Sequence, residues 1–243
     1  MRAYNFSAGP STLPLDVLKE AQRDLLDFAN TGMSVTEISH RNKAFSQIVE
    51  EGECLLRELL QIPDDYAVLF VQGGASTQFA AVPLNLMHNG KADYVVTGNF
   101  AKKAFEEGKI YGDAVCVASS ADQTYTYIPD LTQIPFRKGT DYVHICSNNT
   151  IFGTRYIDFP QTETPLVADM SSEILSREID VRRFGVIYAG AQKNLAPAGV
   201  TLVIAKRSLI QNPLGICPTM LQWKVQDENG SLYNTPPCFS IYV

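Results

Sequence analysis

Paired cysteines, an excess of basic residues and long apolar runs are all missing from this sequence. Its five cysteines (Cys54, Cys116, Cys146, Cys217 and Cys238) are odd in number and widely spaced, with no C-x-x-C. That argues against a disulfide framework or a zinc site and fits a reduced, cytoplasmic compartment. The 20 Lys and Arg stand against 26 Asp and Glu, a formal net charge of -6. A nucleic-acid binder needs a basic footprint to neutralise phosphates, so that class is excluded. The densest basic group, Arg177, Arg182 and Arg183, is interleaved with Glu173, Glu178 and Asp180. No apolar stretch approaches the roughly 20 residues of a membrane-spanning helix. The opening residues lack the apolar core of a signal peptide. Internal repeats and low-complexity segments are absent too.

What remains is an ordinary globular composition, 45% hydrophobic and 19% charged over 243 residues. That length is near the upper limit for one hydrophobic core. Apolar residues at helical spacing predict helices over 14–29 and 43–61, the second stopping before Pro63. From there the pattern alternates. Short Val/Ile/Leu-rich runs predict strands at 67–71, 93–97, 114–118, 142–146, 166–168, 186–188 and 200–205, with helices at 76–87 and 100–109. Continuous apolar strands alternating with helices predict an α/β fold, its mostly parallel sheet covered on both faces. Residues 211–243 carry four prolines and little periodicity.

Three constellations fall at predicted strand ends, where α/β proteins place their ligands. Val71-Gln-Gly-Gly-Ala-Ser-Thr-Gln78 joins a strand to a helix, and its glycines can aim free N–H groups and the helix dipole at an anion. It is neither a dinucleotide fingerprint nor a Walker loop, and a plain tight turn would use the same residues. Asp169, in Leu166-Val-Ala-Asp-Met-Ser-Ser172, can hold a ring nitrogen protonated or can cap the backbone that follows it. Lys193, in Val186-Ile-Tyr-Ala-Gly-Ala-Gln-Lys-Asn194, is a nucleophile if partly desolvated among its small neighbours, and otherwise a surface lysine. A phosphate cradle, an acid and a lysine in this order are the three elements that pyridoxal 5'-phosphate (PLP) requires.

Five separated motifs then resemble one family. They are Asn5-Phe-Ser-Ala-Gly-Pro-Ser-Thr-Leu-Pro14, Gly32-Met-Ser-Val-Thr-Glu-Ile-Ser-His-Arg41, Gly73-Gly-Ala-Ser-Thr-Gln-Phe79, Ala189-Gly-Ala-Gln-Lys-Asn194 and Asn234-Thr-Pro-Pro237. Together they look like the phosphoserine aminotransferases, class-V PLP enzymes of fold type I. The resemblance implies a seven-stranded, mixed but mostly parallel sheet flanked by helices. It also implies a homodimer, working in serine biosynthesis, that exchanges an amino group between phosphoserine/3-phosphohydroxypyruvate and glutamate/2-oxoglutarate.

Carried over by position, Lys193 would bear the cofactor as a Schiff base and shuttle the substrate proton, and Asp169 would pair with the ring nitrogen. Ala75, Ser76 and Gln192 would bind the cofactor phosphate. Thr150 would reach the phenolic oxygen side, and Phe100 would stack on the ring. Asn234 and Thr235 would complete the partner subunit's phosphate site, and His40 and Arg41 would hold the substrate's anionic groups. Two positions depart from a common family pattern: Ser76 stands where many members carry arginine, and Phe100 where many carry tryptophan.

The family also has a smaller C-terminal domain that these residues do not reach. Residues 1–243 are therefore expected to form the PLP-binding large domain alone, with 1–30 as an N-terminal segment and 211–243 as its tail. Such a chain is expected to bind PLP, to transaminate poorly or not at all, and to leave apolar surface uncovered. The alternatives are another PLP enzyme of the same fold, or a non-catalytic truncated form that only dimerises.

Overall fold

The computed structural model describes residues 2–243. Seven strands form one sheet: β1 (Tyr66–Val71), β2 (Lys91–Val96), β3 (Asp113–Ser119), β4 (Tyr142–Cys146), β5 (Leu166–Asp169), β6 (Val186–Gly190) and β7 (Thr201–Lys206). Their order is β1-β7-β6-β5-β4-β2-β3, with β7 antiparallel to both neighbours and the other pairs parallel. All seven strands lie where the apolar runs predict them, and the sheet is mixed and mostly parallel as the resemblance implies.

Side chains alternate across each strand, so each splits its residues between two cores. Tyr66, Val68 and Phe70 of β1 join one apolar cluster, and Ala67, Leu69 and Val71 join the other. The first cluster is closed by α2 (Lys43–Leu60) through Phe45, Val49, Leu56 and Leu60. Burying each such side chain stabilises the fold by about 1.5–3 kcal/mol. Asn42 starts α2 by accepting the Ala44 N–H at 2.9 Å, and Gln61, in the left-handed region, ends it. The second cluster is closed by α3 (Gly74–Leu86), with α4 (Asn99–Tyr111) packed beside it.

Two stretches differ from expectation. The first helix, α1 (Leu15–Asp24), ends five residues before its predicted limit. The Asp24 carbonyl accepts from Val35, and its buried carboxylate accepts from Tyr242 at 2.7 Å, so the chain turns back there. Ala29 and Asn30 then adopt positive φ. Residues 211–243, read as aperiodic, fold into α5 (Trp223–Glu228) and α6 (Cys238–Tyr242). Trp223 is buried against α3, and Tyr242 reaches α1, so this segment closes both faces of the sheet. No described helix is long and apolar enough to cross a membrane.

Candidate active site

Lys193 lies just beyond β6, on the loop that leads to β7, with its side chain half-buried. The N-terminal segment packs on its stem. Ser11 donates its backbone N–H to the Gln192 carbonyl at 2.9 Å and its hydroxyl to the Lys193 carbonyl. A Cβ on Gly9 would sit 2.9 Å from Lys193 Cγ, so the close approach demands glycine. The Lys193 ammonium donates to Thr150 Oγ1 at 2.7 Å and stands 4.5 Å from the centre of the Phe100 ring.

Thr150 and Phe100 reach this point from different elements. Thr150 follows β4, and Phe100 lies in the first turn of α4. They are drawn together where Gly98, ahead of α4, meets Asn149. A Cβ on Gly98 would stand 2.5 Å from Asn149 Oδ1, which leaves room only for glycine.

Asp169 ends β5 and pairs in register with Cys146 of β4 and Tyr188 of β6. Strand alternation places its side chain, with Val167 and Tyr188, on the sheet face covered by α3. It is buried, and Oδ1 accepts both the N–H (2.9 Å) and the hydroxyl (2.6 Å) of Ser171. Burial pushes its pKa up, opposed by the two Ser171 hydrogen bonds and by the positive charge of Lys193. The capping reading of this residue is what the structure shows, and it leaves one carboxylate oxygen for a ligand. Oδ1 binds the following turn, while Oδ2 has no hydrogen-bond partner among the described residues.

The glycine-rich segment opens α3. Gly73 has φ 91°, a left-handed turn, and the N–H groups of Ala75 and Ser76 find no acceptor among the described residues. Gln192 is brought here by Gly190, whose Cβ, if present, would lie 3.1 Å from Gln192 Oε1 and 3.5 Å from the Ala75 nitrogen. A free anion cradle, a buried carboxylate with one unused oxygen and a lysine beside an aromatic ring together fit PLP. Ala75, Ser76 and Gln192 would hold its phosphate, Asp169 its ring nitrogen, Phe100 its ring face and Lys193 its carbonyl carbon.

The remaining sequence-derived residues make no hydrogen bond to Lys193 among the described residues. Asn234 and Thr235 are exposed, the latter tied by its carbonyl to Gln72 Nε2 at 2.7 Å. Among the described residues, His40 is buried with Nε2 unpartnered, and Arg41 is exposed without an ion pair. No hydrogen bond or ion pair joins either residue to Lys193 among the described residues. Ser171 joins the site through Asp169 Oδ1 and the Gly190 N–H, the second supplied from a different strand, so the sequence alone gives no signal for it.

The sheet, with a lysine and a buried acid at or just beyond its strand ends, suits a PLP-dependent aminotransferase, and the sequence assigns the class. The Aminotransferase class-V family pattern matches residues 3–243. Phosphoserine aminotransferase of Bacillus cereus is 56% identical over 244 residues, and that of Halalkalibacterium halodurans 51%; each match covers all of this chain and 68% of the relative. The solved phosphoserine aminotransferase of Bacillus circulans subsp. alkalophilus superposes with a TM-score of 0.96 at 48% identity, covering 99% of this chain and 67% of that one. The PLP-bound enzyme of Trichomonas vaginalis gives 0.94 at 39% identity, covering 99% and 68%. The chain belongs to the phosphoserine aminotransferase family, with pyridoxal phosphate as its cofactor. It spans about two thirds of the length of these relatives.

Proposed function

We propose that residues 1–243 form the PLP-binding large domain for amino transfer between O-phospho-L-serine/3-phosphohydroxypyruvate and L-glutamate/2-oxoglutarate, in the cytoplasm and as a homodimer. The observation that carries the reading is the convergence of Lys193, Thr150 and Phe100 beside a buried Asp169. PLP, when bound, supplies an electron sink for the carbon that gains or loses the amino group. The chain's own residues do the rest. Asp169, with Oδ2 open, holds the ring nitrogen's proton. Lys193, as a free amine, would take the proton from substrate Cα and deliver it to the cofactor's C4′ carbon. Thr150 fixes the direction of the Lys193 nitrogen, and Phe100 excludes water from one side of it.

The α3 N-terminus, with Gln192 beside it, suits a phosphate through backbone N–H groups and the helix dipole, without the charge that an arginine at Ser76 would add. His40 and Arg41 are assigned to the substrate's anionic groups, and Asn234 and Thr235 to the phosphate of the partner's cofactor. This assignment makes the complete site a property of the dimer, with residues 1–243 as its PLP-binding large domain. Arginine suits such a role because its fork binds carboxylate or phosphate through two hydrogen bonds. The test is spectroscopic: phosphoserine added to the PLP-loaded protein should shift the visible cofactor band, and serine without the phosphate should do so far less. An equal response to both contradicts the substrate assignment.

A further inference from the structure

Ser171 sits at the junction of the acid and the lysine strand. Its hydroxyl oxygen accepts the N–H of Gly190 at 2.9 Å and lies 2.6 Å from Asp169 Oδ1. Gly190 offers only a donor there, so the single Ser171 proton has one acceptor, Asp169 Oδ1. The Ser171 backbone N–H meets the same oxygen at 2.9 Å. The Asp169 backbone is fixed as well, because its carbonyl accepts from the N–H and the hydroxyl of Ser147 at 3.0 and 3.2 Å. Oδ1 is thereby saturated by two donors, and the carboxylate cannot rotate without breaking both bonds. Oδ2 alone remains for a ligand. Gly190 is the last residue of β6, three positions before Lys193.

We propose that Ser171 is a positioning residue for the cofactor: it keeps Asp169 ionised and aims Oδ2 at the ring nitrogen while tying that acid to the strand that carries Lys193. The proposal rests on the PLP reading of the site. The titratable groups that face Asp169 are Cys146 of β4, Tyr188 of β6 and Lys193, and α3 carries no charged residue. Burial holds both the Cys146 thiol and the Tyr188 phenol neutral, so of these groups only Lys193 adds charge. Burial raises the Asp169 pKa and Ser171 opposes that rise, so removing the hydroxyl favours the protonated acid. A protonated Asp169 has no charge with which to hold a protonated ring nitrogen. Loss of cofactor on the acid side must then begin at a higher pH.

The test is the dissociation constant of PLP for wild type, Ser171→Ala and Ser171→Thr, by equilibrium dialysis from about pH 6 to 9, with melting of each apo-protein alongside. Ser171→Ala should bind about tenfold more weakly at neutral pH, the effect of one hydrogen bond to a charged group. Its acid-side loss should move to higher pH. Ser171→Thr keeps the hydroxyl and should stay near wild type. An unchanged constant and an unchanged pH profile in Ser171→Ala overturn the proposal. Should the Ala variant melt far below wild type, the Thr variant decides: wild-type binding supports the role, and Ala-like binding contradicts it. A wild-type protein that binds no PLP overturns the cofactor reading itself, and with it this proposal.

Discussion

The Lys193 ammonium donates to the hydroxyl of Thr150 at 2.7 Å, across 43 positions of sequence. The partner is a neutral hydroxyl, so turning the amine toward a carbonyl breaks one hydrogen bond and no ion pair. Such a bond contributes about 1–3 kcal/mol. Thr150→Val keeps the side chain's shape and removes that bond together with the one assigned to Thr150 on the phenolic oxygen side of the bound cofactor. Loss of the second should weaken PLP binding by about tenfold while leaving Lys193 as the modified residue. A fluorescence or absorbance titration of PLP into the variant checks this, and unchanged affinity would show that Thr150 only fills space.

A second expectation concerns pH and lies away from the lysine. His144 is fully buried on β4, with Nε2 2.8 Å from the Tyr188 hydroxyl and its ring stacked 5.0 Å from that of Tyr94. Burial pulls its pKa down to about 3. An unfolded histidine, with a pKa of about 6.5, takes up a proton well before the folded one. Stability present above that value is therefore lost as pH falls toward 3, at up to about 1.4 kcal/mol per pH unit from this residue. Urea midpoints measured across the acid range should fall more steeply for wild type than for His144→Gln. Parallel slopes would mean that His144 carries no such linkage.

Trp223 anchors the C-terminal segment. It is buried, its indole N–H reaches Gln78 Oε1 at 3.1 Å, and its backbone N–H reaches Asn85 Oδ1 at 3.0 Å. Trp223→Ala should cost about 3–5 kcal/mol, from the lost burial and the cavity left behind. The unfolding midpoint in denaturant measures it. A loss below about 1 kcal/mol would show that the segment docks without it.

The strands were legible because their signals are local, apolar runs of strand length, and Asp169 and Lys193 stood out as candidates because they lie at or just beyond the ends of two of them. The helix end at Asp24 was not, because the residue that holds it, Tyr242, lies at the far end of the chain. The helices around Trp223 and Cys238 are five or six residues long, too short to show a period, and they exist through contacts with α3 and α1. Ser171 escaped for a related reason. Its neighbour Gly190 is supplied by the parallel pairing of β5 and β6, which no local spacing encodes. His40 and Arg41 rest on family resemblance alone, and among the described residues no hydrogen bond or ion pair joins them to Lys193.

Lys193 is the residue assigned to carry the cofactor. Borohydride reduction of the PLP-loaded protein, followed by peptide mapping, decides this. A single pyridoxyl group should appear on Lys193 and be lost in Lys193→Ala. A label on another lysine, or none on a protein that has bound PLP, would overturn the assignment.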